Sequence, residues 1–445
     1  MDILIPAPPV IPNRTRAKIV GLLVSLSLLS YFDRTIMSIA GPHIIKEFKL
    51  SDTEMGMVYS AFVVSYALLM IPGGHWVDRF GPRRVITVTG LGAALFTALT
   101  AWGGRPGLGT ILGVVPALIA IRFGFGVCAA PLYPSCARMN SNWIPLNQHA
   151  RVWGLVAAGA GLGGAISPLL FSWMIEKHGW RFSFCLAGAA TAALILLWFW
   201  HVRDHPSQRP ALTVERGIAD VASPPRVAAR VPHRTPWLRL LANRNLLLLA
   251  FGYGAVCYFE YVLFYWTYYY FGEVRHAGLG RSAIYTTGLF LTWMIMTPMG
   301  GLVSDRLVER YGPRLGRRLV PIVALTLSAA LLCFGINAGE PFTAAAAFAL
   351  ALGLASCSDG PFWASAIEVG GNEVGAASGI LNTGCNLGGL VGPVLTPWIA
   401  SHYGWSWGLY FGSAVLMMSV LAWFFIDPTA VASQDGGAAG SDRSG

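Results

Sequence analysis

The sequence predicts an all-α integral membrane protein of twelve transmembrane helices in two pseudo-symmetric six-helix bundles. Three observations carry that expectation. First, 55% of the 445 residues are hydrophobic and only 12% are charged, about half the charged share of a soluble domain. Second, twelve separate stretches approach the length of about 20 apolar residues that a membrane span needs. Third, the second half repeats the first. Gly154, Gly159, Gly163, Gly164, Pro168, Trp173, Gly179 and Trp180 recur 225 positions later as Gly379, Gly384, Gly388, Gly389, Pro393, Trp398, Gly404 and Trp405. Duplicated halves in a chain of many spans point to a carrier whose site lies between them.

The spans run 18–40, 54–77, 84–103, 109–137, 150–175 and 181–201, then 245–271, 281–304, 318–336, 341–366, 374–400 and 405–427. They divide the chain into a cytoplasmic N-terminal segment (1–17), an N-terminal bundle (18–201), a linker (202–244), a C-terminal bundle (245–427) and a tail (428–445). The tail's Gly, Ser, Ala and Asp content predicts disorder. Arg14, Arg16 and Lys18 precede a first apolar run of full length, so no cleavable signal is expected. Loops after even-numbered spans are basic: Arg79, Arg83 and Arg84, then Arg138 and Arg151, then Arg306, Arg310, Arg314, Arg317 and Arg318. The linker adds Arg203, Arg209, Arg216 and five more. The positive-inside rule then places both termini in the cytoplasm, and Ala-, Gly- and Arg-rich usage points to a multi-pass protein of a bacterial inner membrane.

The net charge of +10 comes from these loops rather than from one face, which argues against nucleic acid as a partner. The seven cysteines lie within or at the ends of apolar spans and include no CxxC pair, so they read as packing residues, not a metal site. No HExxH, Walker A or GxSxG pattern occurs. The expectation is therefore no enzyme, no cofactor and no metal. Gly-rich runs such as GAGLGG read as surfaces for close helix packing, because no strand precedes them.

Charges inside spans are costly and are read first as functional. Asp33 and Arg34 are adjacent on the first span, so their side chains point about 100° apart and cannot share a partner. The planar fork of Arg34 suits a carboxylate ligand, and Asp33 is a candidate proton carrier. Arg122 on the fourth span has no acid within a turn, and needs an anionic ligand or a partner on another helix, for which Asp33 is the structural alternative. Glu260 on the seventh span sits in Tyr258-Phe259-Glu260, which matches Tyr31-Phe32-Asp33 at offset 227. It is a candidate for coupling or substrate contact, against the alternative of a satisfied buried acid. Asp359 on the tenth span stands where the first half has Ala129. Asn382 and Asn386 are one turn apart on the eleventh span and share a face, suited either to a hydroxylated substrate or to helix bridging. Tyr31, Tyr66, Tyr258, Tyr261, Trp266 and Trp363 are the aromatics available to line a cavity.

The segments PGGHWVDRFGPRR and MGGLVSDRLVERYGPR are two copies of one turn, in which Gly74 and Asp78 match Gly301 and Asp305. Asp78, Arg79, Arg83, Asp305 and Arg306 are candidate gating residues, the acids capping neighbouring helices and the arginines reaching across the seam between halves.

GHWVDRFGPRR resembles the signature loop of the major facilitator superfamily. YFDRTIMSIAGPHI, LSDTEMGMVYSAFVVSYALLMIPGG, RFGFGVCAAPLYPS and LNTGCNLGGLVGP resemble its anion:cation symporter branch, which includes sugar-acid and phthalate permeases, sialin and vesicular glutamate carriers. The resemblance implies cation-driven transport of an organic anion by alternating access. It implies that Arg34 and Arg122 engage the substrate carboxylate and that Asp33 takes part in proton coupling. The branch usually carries a glutamate seven residues after the fourth-span arginine; here that position is Ala129, and Glu260 and Asp359 are the acids left to stand in. The expected function is transport of a sugar acid or aromatic acid with a proton, or sodium, by a functional monomer. The alternatives are an uncoupled uniporter or anion exchanger, suggested by Ala129, lipophilic-cation efflux, and a non-transporting receptor on the same fold.

Overall fold

The computed structural model describes residues 13–104, 106–144, 149–205, 243–370 and 374–429. Most of the predicted linker, most of the tail and the first twelve residues lie outside them. Every regular element described is helical. The N-terminal half contains α1 (Asn13–Phe48), α2 (Asp52–Phe80), α3 (Pro82–Leu99) and α4 in two pieces, Val114–Ala129 and Leu132–Trp143. One long run, His149–His201, holds α5 (149–178) and α6 (180–201), joined at Gly179, whose φ is 79°. The C-terminal half contains α7 (Arg244–Tyr269), α8 (Leu279–Tyr311), α9 (Pro313–Asn337), α10 in two pieces (Pro341–Ser356 and Asp359–Gly370), α11 (Val374–Tyr403) and α12 (Trp405–Phe425).

Among the described residues, ten helices are long and apolar enough to cross a membrane. That number differs from twelve because Leu155–His201 counts the fifth and sixth spans together, and α11, with two internal prolines and many glycines, is not among the ten. Helices overrun the predicted spans, since their polar ends continue past the apolar stretch: α1 starts at Asn13 and α2 ends at Phe80. A capping box holds the start of α2, with Ser51 Oγ accepting from the Glu54 amide and the Glu54 carboxylate accepting from the Ser51 amide.

The sequence repeat is a repeat of contacts. A Cβ at Gly159 or Gly163 would collide with the carbonyls of Val24 and Leu28 on α1. A Cβ at Gly384 or Gly388 would collide with those of Ala250 and Gly254 on α7. The repeated glycines thus let α5 lie on α1 and α11 on α7, backbone to backbone, where packing must replace the hydrophobic effect as the source of association. Gly179 and Gly404, both at positive φ, turn the chain at matching corners. The breaks in α4 and α10 also match: CAAPLYPS and CSDGPFWAS both straddle a point where helical bonding is interrupted ahead of a proline that has no amide to donate.

The halves meet where α2 packs on α11, α5 on α8 and α1 on α7. The termini of the helical body share one end of the molecule, here the terminal face; the ends of α1 and α7 reach the opposite, distal face. The distal seam is shut. Lys46 Nζ pairs with Glu273 Oε1 at 2.8 Å. Tyr59 stacks on Tyr265 at 4.9 Å between centroids and meets Trp266 edge-on at 5.4 Å. Ser172 and Tyr268 hydroxyls lie 3.1 Å apart, and Ser60 Oγ donates to the Leu390 carbonyl at 2.8 Å. On the terminal face the described polar contacts stay within one half: Arg83 binds Asp204 and Phe199, and Arg317 binds Asp305 and Glu368.

Candidate functional site

Midway along the helices, α1 places two charges on different sides, as helical geometry requires. Asp33, 2% exposed, faces inward to its own half, where Thr191 Oγ1 on α6 donates to Asp33 Oδ2 at 2.7 Å. Its other oxygen has no hydrogen-bond partner. Asp33, Ala129 and Thr191 border a cavity of about 40 Å³, room for water. The position where the branch usually carries an acid therefore faces Asp33 across a small, mostly apolar space.

Arg34 points the other way, into the seam. Its Nη2 donates to Tyr261 Oη on α7 at 2.5 Å, and its guanidinium stands over the rings of Tyr31, Phe62 and Tyr261 at 5.0–5.3 Å. Arg122, 1% exposed, stands over Phe62 at 5.3 Å and Phe125 at 4.8 Å. One ring, Phe62 of α2, therefore touches both cations. Neither arginine belongs to an ion pair among the described residues. The Arg122 Nε has no partner, and its Nη2 reaches only the Arg34 carbonyl at 3.5 Å. Asp33 and Arg122 make no ion-pair contact, since the Asp33 carboxylate is bonded to Thr191, but each lies within electrostatic reach of the other. Two guanidinium groups stacked on aromatic faces, with the Arg122 Nε unspent, are chemically suited to a planar oxyanion.

The C-terminal half presents acids to the same region. Glu260, 5% exposed, has Oε1 unpartnered and lies beside the Trp293 indole and within electrostatic reach of Tyr31, Asp359 and Cys385. Trp293 on α8 stacks on Tyr31 at 5.9 Å, so the rings of both halves close around the site. Asp359 sits beside Tyr253, whose hydroxyl accepts from Trp363 Nε1 at 3.2 Å. Asn386 Nδ2 donates to the Asn382 carbonyl at 2.9 Å, and Asn382 Nδ2 reaches Met70 Sδ on α2 at 2.9 Å. Tyr66 stacks on Phe62 at 5.5 Å.

Some expected residues lie elsewhere. Tyr258 bonds Thr396 at 2.9 Å and packs on Phe411, because it is about 200° around α7 from Glu260. Trp266 donates to the Pro393 carbonyl at 3.1 Å and packs in the distal seam. Of the gating residues, Arg79 lies over Phe80, Arg83 and Asp305 bond within their own halves, and Arg306 is exposed. The Asp78 side chain lies outside the described residues. An added Cβ at Gly74 or Gly301 would meet no tight contact, whereas one at Gly73 would crowd Pro131 and one at Gly300 would collide with Cys357; the Gly301 backbone lies close against Gly360. Phe62, Tyr265 and Trp293 were not singled out from the sequence. Their only signal is aromatic character within an apolar span, which many lipid-facing rings share.

A family model for the Major Facilitator Superfamily matches residues 23–372 and again 312–443. The chain belongs to that superfamily. Its curated relatives include a "probable sulfoacetate transporter" of Cupriavidus necator, 29% identical over 93% of this chain and 94% of that one. A hexuronate transporter of Bacillus subtilis is 27% identical over 93% of both chains, and a D-galactonate transporter of Escherichia coli is 26% identical over 93% of this chain and 96% of its own. These relatives fit the anion:cation symporter branch that the motifs resemble. The fold matches a bacterial homologue of the human lysosomal transporter Spinster in an inward-facing, unoccupied conformation, with a TM-score of 0.77 at 17% identity over 94% of this chain and 98% of that one. It also matches a D-xylose–proton symporter, with a TM-score of 0.69 at 14% identity over 92% and 97%. As a superfamily member the protein is a multi-pass membrane transporter and not an enzyme.

Proposed function

We propose that this transporter carries a small organic anion, a carboxylate or sulfonate, across the bacterial cytoplasmic membrane by alternating access and in symport with a proton. The observation that carries the reading is that the guanidinium groups of Arg34 and Arg122 both stand over Phe62, with no ion-pair contact for either among the described residues. Anion cargo is in the names of the relatives, sulfoacetate, hexuronate and D-galactonate. The anion head docks on the arginines, while Asn382, Asn386 and Glu260 meet hydroxyls at its other end. With the termini in the cytoplasm, as the basic loops require, the shut distal seam makes this conformation inward-facing.

Coupling rests on three acids inside the spans, Asp33 and Glu260 buried and Asp359 half-buried. Proton transfer to or from such an acid changes the charge that the closed states must bury. Arg83, Asp305 and Arg306 act in closing the cytoplasmic side, exchanging partners within a half for partners across it.

Uncoupled uniport or exchange is the second reading, because Ala129 removes one acid from beside Asp33. Uptake of radiolabelled sulfoacetate, D-galactonate and a hexuronate into right-side-out vesicles separates the two. Symport predicts accumulation that a proton ionophore abolishes and that survives replacement of sodium. Accumulation unchanged by the ionophore contradicts proton coupling, and transport of none of these or of related anions contradicts the anion reading.

A further inference from the structure

Cys257 on α7 and Cys385 on α11 bring their sulfurs to 2.6 Å, across the closest helix pair of the C-terminal half. The neighbouring glycines cause the approach. Gly384, beside Cys385, lies on the Ala250 carbonyl, and Gly388, one turn on, lies on the Gly254 carbonyl, so the helix backbones touch on both sides of the thiols. A disulfide needs its two Cβ atoms about 3.8 Å apart, a span that helices in backbone contact can supply. The other five cysteines have no cysteine in contact among the described residues.

The pair is also in the wall of the central site. Cys385 is partly exposed and lies within electrostatic reach of Tyr31, Tyr66, Tyr261 and Glu260, while Cys257 is buried behind it. Cys385, the more exposed of the two, is the thiol a small reagent meets first, and Cys257 is in place to resolve the product.

We propose that Cys257 and Cys385 are a reactive dithiol that a two-electron thiol oxidant converts to a disulfide, stapling α7 to α11 in the cavity wall. With a diazenedicarboxamide such as diamide, the Cys385 thiolate adds to the N=N bond, and Cys257 then attacks the Cys385 sulfur. The S–S bond forms, two S–H bonds are lost, and the oxidant departs as its hydrazine carrying both electrons and both protons. The bridge joins positions 128 residues apart and holds the two helices that carry Glu260, Asn382 and Asn386 in one relative position.

The test uses the purified full-length protein in liposomes, treated with diamide and then with a reducing agent. The expected result is loss of two maleimide-reactive thiols per denatured chain, a peptide joining Cys257 to Cys385, and slower amide exchange in α7 and α11, all reversed by reduction. Cys257→Ser and Cys385→Ser each abolish the loss, and Cys128→Ser does not. If a serine variant fails to fold, the wild-type peptide map still decides. Unchanged thiol content, a bridge between other cysteines, or a Cys257–Cys385 bridge that leaves exchange in α7 and α11 unaltered overturns the proposal.

Discussion

Arg122 is the residue on which the site turns. It is among the largest fully buried side chains and has no carboxylate in ion-pair contact among the described residues, a costly state unless a ligand anion relieves it. Removing it should weaken anion binding roughly 10- to 100-fold, the range of one or two charge-assisted hydrogen bonds. Arg122→Lys should recover little of this, since an ammonium lacks the fork that grips two oxygens; isothermal titration with the transported anion checks both. Glu260→Gln keeps the shape of its site and removes the proton. Accumulation driven by a pH gradient should fall to equilibrium while anion exchange across the same vesicles persists; accumulation intact in the variant places coupling on Asp33 and Asp359 alone. The charged members of this site were legible in the sequence because a charge inside an apolar span stands out. Their partners were not. That Thr191 serves Asp33, that Tyr261 serves Arg34, and that Tyr258 turns away depend on which helices pack together, which one sequence does not display.

At the scale of elements, the repeated glycines state a physical requirement. Gly388→Ala drives a methyl into the Gly254 carbonyl and should destabilise by about 1–3 kcal/mol, the usual penalty of overpacking. Gly163→Ala should do the same against Leu28 on the other side of the repeat. Gly379→Ala belongs to the same repeat but has nothing within 4 Å of its added Cβ, and should be nearly silent. Thermal unfolding of the three purified variants distinguishes packing glycines from repeat members without a contact. Twelve spans were readable because hydropathy and length are sequence properties. The breaks inside α4 and α10 were not read as breaks, although CAAPLYPS and CSDGPFWAS were aligned, because a proline within a span bends a helix as often as it interrupts one. The Gly73 and Gly300 contacts were not read from the sequence, because a GG pair does not reveal which of its members faces the neighbouring helix.

For the whole molecule, the closed distal seam and the half-confined contacts of the terminal face correspond to one state of the proposed alternating-access cycle. Lys46–Glu273 is among the links holding the distal side shut; with Lys46 68% exposed it contributes at most about 1 kcal/mol. Lys46→Glu places like charges there and should shift the population towards distal opening by about fivefold for each such kcal/mol, and Lys46→Glu with Glu273→Lys should restore it. Spin-label distances across the distal face read both, and an unchanged distribution in the single variant removes this pair from the gate. The two-bundle architecture and the existence of a central site followed from the internal repeat; which side is shut could not, because the same sequence must form both closures. The account as a whole depends on Arg34 and Arg122 receiving a ligand anion together. The most direct test is a thermal-shift screen of sulfonates, sugar acids and aromatic acids on the purified wild type, Arg34→Ala and Arg122→Ala proteins. At least one anion should raise the melting midpoint of the wild type and leave both variants unmoved; an equal rise in all three would contradict the account.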